Sequence, residues 1–386
     1  MTLRHPLRSV FAALAALTAL LATASAPAAP ALSEALATIR AVGPEGQGNV
    51  AASAAWKAIA AQDAAQLPAI LAGMDDANEL AVNWLRAAVE AIAGREQLAA
   101  RPLPASALRT FLQDTRHSPR ARRLAYELIT RAEPAATAPL LDTLLDDPGS
   151  ELRRDAVQRV IDQARDAEAA DKPRATQLFQ KALVAARDVD QVQLLTKKLR
   201  TLGQTVDLPR LFGFLMAWKA IGPFDNTGGK GFDTAFPPEK EIKLDAEYPG
   251  KSGPVRWCDV ITTNEFGMLD LNQPLGKTKG VTGYAYTEFF SDTARSAEIR
   301  LGCKNAWKIW LNGQLLFGRD EYHRGMQIDQ YRLPVQLQPG RNTILVKACQ
   351  NEQVEAWTVE WQFQLRVCDS LGAAIHSSAT APAKTN

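Results

Sequence analysis

Apolar residues between positions 50 and 203 recur at helical spacing, the pattern of helices that bury one face. Trp84, Leu85, Ala88, Val89 and Ile92 make one stripe, and Leu124, Ala125, Leu128 and Ile129 a second. Ala156, Val157, Val160, Ile161 and Ala164 make a third. Each stripe follows a shorter apolar segment and a polar turn. Residues 67–71 run into Asp75-Asp76, residues 108–112 into Asp114 through Pro119, and residues 140–145 into Asp146-Asp147-Pro148. Leu71, Leu112 and Leu145 stand roughly 30–40 residues apart, the period of stacked helix pairs. The pattern predicts an α-solenoid over residues 49–203, with a plain helical bundle as the alternative. Asp188 with Gln191 reads as a capping box, Val192, Leu195, Leu199 and Leu202 share the face that follows, and Gly203 stops the helix. A linker is expected at 204–213.

Beyond Phe214 the period changes to two. Val359, Trp361, Phe363, Leu365 and Val367 alternate with Glu360, Gln362, Gln364 and Arg366, the mark of a strand with one buried face. Trp307, Ile309 and Leu311 alternate with Lys308 and Trp310, and Asn312-Gly313 then signals a type I′ hairpin into residues 314–317. Further strands are predicted at 284–290, 297–303 and 342–348. Short strands with turn signals and no helices between them imply an antiparallel β-sandwich or jelly roll over 214–370. The fold class is therefore multidomain, α then all-β.

The run WKIWLNGQLLF (307–317), followed by LPVQLQPGRNTILVKACQ (333–350), resembles galactose-binding-like jelly-roll domains, which accompany many secreted carbohydrate-active proteins. The stretch AWKAIGPFDNTGGKGFDTAFPPEKEIKLDAEYPGK (217–251), with RDVDQVQLLTKKLRTLGQTVDLP before it, is similar to a family of exported HEAT-repeat proteins abundant in planctomycetes. The resemblance covers roughly residues 187–369. It implies a HEAT-like solenoid followed by a glycan-binding type of sandwich, and it assigns no activity. Where that family tends to carry acidic residues before the WLNG strand, this chain has Cys303-Lys304-Asn305, which weakens any expectation of a shared acidic or calcium site there.

The N-terminus changes the setting. Arg4 and Arg8 precede an apolar run at 10–21 and an Ala22-Thr23-Ala24 site, the layout of a secretory signal over 1–24, and the run is too short to span a bilayer. Residues 25–48 are expected to be a flexible segment and 371–386 a disordered tail. The reading is export to the periplasm or cell surface, with no transmembrane segment after cleavage. An oxidising compartment permits pairing of Cys258, Cys303, Cys349 and Cys368, although Cys303 shares the apolar phase of Ile299 and Leu301 and reads equally as a buried thiol.

Composition removes several classes of function. A net charge of +2 over 386 residues argues against a nucleic-acid partner. Past the leader only His117, His323 and His376 remain, far apart, so neither a metal nor a cofactor is expected. Gly228-Gly229-Lys230-Gly231 lacks the spacing of a phosphate loop. No catalytic pair is assigned. The densest polar cluster, Asp320-Glu321-Tyr322-His323-Arg324 with Asp329, falls in a loop between strands. Asp320, Tyr322, His323, Arg324 and Asp329, with Trp310 as an exposed indole, form the candidate glycan site. A salt-bridged loop and a covered Trp310 are the alternatives. The sequence reading is an exported, non-enzymatic binding or scaffold protein, with glycan on the sandwich and a protein partner on the repeats. Its rivals are a polysaccharide-acting enzyme or accessory subunit, and a purely protein-binding scaffold.

Overall fold

A computed structural model describes residues 31–378; the expected signal at 1–24 lies outside the described residues. The chain divides into two compact units, Met1–Thr137 and Ala138–Asn386.

The first unit is helical: α1 (Leu32–Arg40), α2 (Asn49–Ala60), α3 (Leu67–Ala72), α4 (Glu79–Leu98), α5 (Ala105–Gln113) and α6 (Pro119–Ala132). Side-chain caps define two of its helix starts. Asn78 Oδ1 accepts the Ala81 N–H at 2.9 Å, and Ser118 Oγ accepts that of Ala121 at 3.3 Å, with Pro119 opening α6. The predicted stripes are the buried faces, with Leu85, Ala88, Val89 and Ile92 on α4 and Leu124, Ala125, Leu128 and Ile129 on α6. Along the outside, Glu79–Arg120, Arg86–Glu127 and Glu90–Arg131 form a ladder of ion pairs, each 41 residues apart. α4 and α6 thus lie side by side in constant register. The turns are joined too: His117 Nδ1 lies 2.7 Å from Asp75 Oδ2 while its ring stacks on Phe111. The flexible segment expected at 25–48 is corrected from residue 32 onward. α1 buries Ala35 and Ile39, a stripe of only two residues on a helix of nine.

The second unit opens with α7 (Thr137–Asp142, its first residue before the division), α8 (Ser150–Glu168), α9 (Lys172–Ala185), α10 (Val189–Thr201) and α11 (Leu208–Phe212). The capping box at the start of α10 does not form. Gln191 is buried and donates to the Arg154 carbonyl at 3.0 Å, and Arg154 draws the Asp188 carboxylate to 3.5 Å. The stretch expected as a linker carries α11, whose Leu208 and Phe212 are buried.

Two antiparallel sheets follow. The strands of the larger are β1 (Ala217–Asp225), β4 (Cys258–Ile261), β6 (Val281–Ser291), β8 (Ala306–Leu311), β9 (Gln314–Arg319) and β11 (Gly340–Gln350), ordered β4-β1-β6-β11-β8-β9. The smaller orders β10 (Tyr331–Leu337), β7 (Arg295–Cys303), β12 (Gln362–Cys368) and β5 (Leu269–Asp270) as β10-β7-β12-β5. A separate hairpin pairs β2 (Glu247–Gly250) with β3 (Gly253–Arg256). Trp218, Ala285, Trp307, Ile309 and Val346 from the large sheet share one core with Ile299, Leu301, Phe363, Leu365 and Val367 from the small one. The predicted hairpin is present: Leu311 faces Gln314, and Asn312 and Gly313 both take positive φ, at 52° and 78°.

Part of the outer face of the small sheet, along β7 and β12, is buried as well. Gln364 and Arg366, read as polar and exposed, are 2% and 1% accessible. The Arg366 guanidinium donates to the Phe212 carbonyl at 3.0 Å and lies over the Phe212 ring. Phe212 and Phe214 belong to the helical core, against which Met216, Phe266 and Ile328 also pack. Residues 371–378 are not a loose tail. Ala374 bridges Cys368, Ile375 is buried in the sheet core, and the Ser378 N–H donates to the Phe290 carbonyl. The remaining tail, 379–386, lies outside the described residues.

Candidate functional site

Strand register brings five ends together at one rim of the sheets. Asp225 of β1 faces Val281 of β6, which faces Gln350 of β11; Cys349 faces Ala306 of β8, and Trp307 faces Arg319 of β9. Three loops leave this rim, at 226–231, 320–330 and 351–359. Asn226, fully buried, ties them: its amide donates to the Tyr322 hydroxyl at 3.0 Å and to the Gln350 carbonyl at 3.1 Å. His323, at a φ of 58°, places Nε2 2.9 Å from Asn351 Oδ1 and meets Trp357 edge to face at 5.1 Å. The Glu352 carboxylate accepts the Gly228 N–H at 2.5 Å.

The 351–359 loop is held firmly beneath its surface. The buried Thr358 carbonyl accepts from Lys279 Nζ at 2.7 Å and from Gln350 Nε2 at 3.1 Å, while the Asn351 carbonyl accepts the Gly280 N–H at 3.0 Å. Its apolar side chains nevertheless face outward: Val354 is 78% exposed, Trp357 62% and Val359 51%. Trp357 alone among the eight tryptophans is exposed.

The sequence candidates separate into three groups. Asp320, Tyr322 and His323 stay at the rim. Asp320 is exposed and acts electrostatically on Tyr322, whose phenol burial pushes above its ordinary range and keeps protonated. Arg324 is exposed but shares Glu321 with Arg319, at 2.8 and 3.1 Å. Trp310 and Asp329 lie elsewhere. Trp310 is 7% accessible in a cluster with Ile221, Phe224, Val255, Tyr284, Tyr286 and Leu345, beneath the β2–β3 hairpin and Phe236. Asp329 is bound by two buried arginines, Arg366 at 2.5–2.6 Å and Arg300 at 2.7 Å. Asn226, Asn351 and Trp357 were not among the sequence candidates. A fully buried Asn leaves no periodic trace, and Trp357, in phase with Val359 and Trp361, reads as the start of the next strand rather than as part of a rim loop.

One other charged site proves structural. Lys347, wholly buried, satisfies its ammonium on Glu239 and the carbonyls of Phe232 and Thr234, all at 2.8–2.9 Å, and so clamps residues 232–239 to the sheet. All four cysteines are free thiols, and burial pushes Cys303 up to about 12 and Cys349 and Cys368 to about 11. Among the described residues no group of three His, Cys, Asp or Glu side chains is placed to hold a metal, and no helix is long and apolar enough to cross a membrane.

Fold and rim together define a helical unit followed by a helix-covered pair of antiparallel sheets with an aromatic and polar rim. No protein family and no curated protein matches the chain. Among solved structures it is similar to the PA14 domain of an antifreeze protein, at 12% identity and a TM-score of 0.20 over 25% of this chain and 47% of that one. A β-glucosidase from Kluyveromyces marxianus in complex with glucose gives 10% and 0.19, over 23% of this chain and 11% of that one. A family 35 carbohydrate-binding module from Clostridium thermocellum gives 13% and 0.17, over 23% and 72%. The chain thus spans about half of the first and about a tenth of the second. The functional reading rests on the rim.

Proposed function

We propose that the rim recognises saccharide, with Trp357 as the stacking platform and Asp320, Tyr322 and His323 as the polar contacts beside it. The observation that carries this reading is an indole 62% exposed on a loop anchored from below. Exposing a large aromatic ring to water is unfavourable unless a partner covers it, and a pyranose face offers apolar C–H groups to the ring and hydroxyls to its neighbours. Arg324 contributes through Glu321 at the edge of the site. Trp310 and Asp329 are left out of the contact set. A saccharide array probed with the full chain tests the proposal: binding that Trp357→Ala abolishes supports it, and no binding to any saccharide contradicts it.

We further read the protein as a non-enzymatic binder. Glu321 is held by two arginines and Glu352 accepts the Gly228 N–H, so these two rim carboxylates serve the loops rather than a glycosidase pair. The ladder at 41-residue spacing favours a HEAT-like solenoid for the first unit, a shape suited to a protein partner, and the two-sheet core favours a jelly-roll type of sandwich. Export to the periplasm or cell surface is the matching location. N-terminal sequencing of the protein from its native cell tests it: a start between Ser25 and Ala31 in the exported fraction is expected, and intact Met1 in the cytoplasm contradicts it.

A further inference from the structure

The loop at 320–330 joins two unlike environments. Its first half makes the rim, through Tyr322 on Asn226 and His323 on Asn351 and Trp357. Its second half crosses the outer face of the small sheet. There Ile328 packs in the helical core, and the Asp329 side chain, 6% exposed, lies between the guanidiniums of Arg300 and Arg366, 4% and 1% exposed. Arg366 is itself fixed by the carbonyls of Phe212 and Gly372. The backbone rests directly on β7: a Cβ added at Gly302 meets the Gln327 carbonyl at 2.5 Å and Met326 Cγ at 3.2 Å. His323 and Asp329 both take positive φ, 58° and 60°, where non-glycine residues stay only if their surroundings hold them.

We infer that Asp329 is a positioning residue: the pin at Asp329, together with the close seat at Gly302, fixes the loop on the small sheet and so sets where His323 stands against Trp357. Asp329 touches no ligand. It works by holding one end of a short strap whose other end frames the rim, so the helices behind Arg366 reach the rim through this strap. The importance of that coupling for recognition rests on the saccharide reading, but the coupling is tested without any saccharide.

The experiment is amide hydrogen exchange by mass spectrometry on the full chain, comparing wild type with Asp329→Asn and Gly302→Ala. Asp329→Asn weakens the pin and risks misfolding, because the buried Arg366 loses the carboxylate beside it and Arg300 keeps only Glu298. Gly302→Ala leaves those charges in place and crowds the Gln327 carbonyl, with Met326 and the Gln364 amide at its edge, so it decides the question if the first variant does not fold. Exchange in residues 320–325 is expected to accelerate about tenfold in folded variants, with the strands of the large sheet unchanged. Acrylamide quenching of Trp357 emission is expected to rise in parallel as the His323 ring withdraws. Acceleration confined to 326–330, with 320–325 and Trp357 quenching as in wild type, overturns the inference.

Discussion

Glu96 illustrates what one buried charge does for the first unit. Its carboxylate accepts from Arg101 at 2.5 and 3.1 Å and from Arg95 at 3.1 Å, and these hydrogen bonds hold it well down, at about 2 against an ordinary value of 4.5. A carboxylate depressed on folding contributes stability that is fully present above its unfolded value and is lost as pH falls through its folded value. Glu96→Gln is therefore expected to destabilise the first unit at neutral pH, with the deficit shrinking between pH 4.5 and about 2. Urea unfolding of wild type and variant across that range checks this, and a deficit that stays constant with pH contradicts it. The same scale explains the aromatic residues. Strand alternation shows that Trp310 faces away from Ile309 but says nothing about what covers that side. The cover comes from Phe236, Val255 and Trp257, in and around the β2–β3 hairpin, far upstream and announced by no period. Trp357 has the opposite history: it continues the alternation of Val359 and Trp361 yet lies in a loop and remains exposed.

Between elements, the deciding contact is that of α8–α11 with the small sheet. Phe212 and Phe214 complete the helical core, Met216, Phe266 and Ile328 lean on it, and residues 374–378 close the other side along Cys368 and Phe290. A fragment of residues 214–370 loses both covers and exposes several large apolar side chains, each worth ~1.5–3 kcal/mol when fully buried. It is expected to melt without cooperativity or aggregate, whereas residues 138–378 give a single cooperative transition. Equal melting temperatures for the two fragments contradict this account of the boundary. Periodicity located β6–β9, β11 and β12, the hairpin turn and three helical stripes, because each depends on residues close in sequence, and it missed β1–β5. It misassigned the outer face of β12, since Gln364 and Arg366 look solvent-facing until a distant helix supplies the Phe212 carbonyl. The capping box at Asp188 failed for a related reason: Arg154, on another helix, draws the Asp188 carboxylate, and its carbonyl takes the Gln191 amide N–H and turns that side chain away from the helix start.

At the scale of the molecule, the rim combines an anchored backbone with exposed apolar side chains. The helices and sheets bury their apolar faces, while a loop fixed by Thr358, Asn351 and Gly280 presents Val354, Trp357 and Val359 to water. Half of the candidate site was readable in sequence, because Asp320, Tyr322 and His323 are contiguous and polar. The other half, Asn226, Asn351 and Trp357, assembles only when three loops meet at one sheet end. The most direct test is calorimetric titration of a saccharide selected on the array into wild type and Trp357→Ala. The account expects affinity to fall about tenfold or more, on the scale of a truncated aromatic anchor. It also expects the melting temperature to stay within the range of a surface substitution, about 0.5 kcal/mol. Unchanged affinity in a folded Trp357→Ala protein would contradict it.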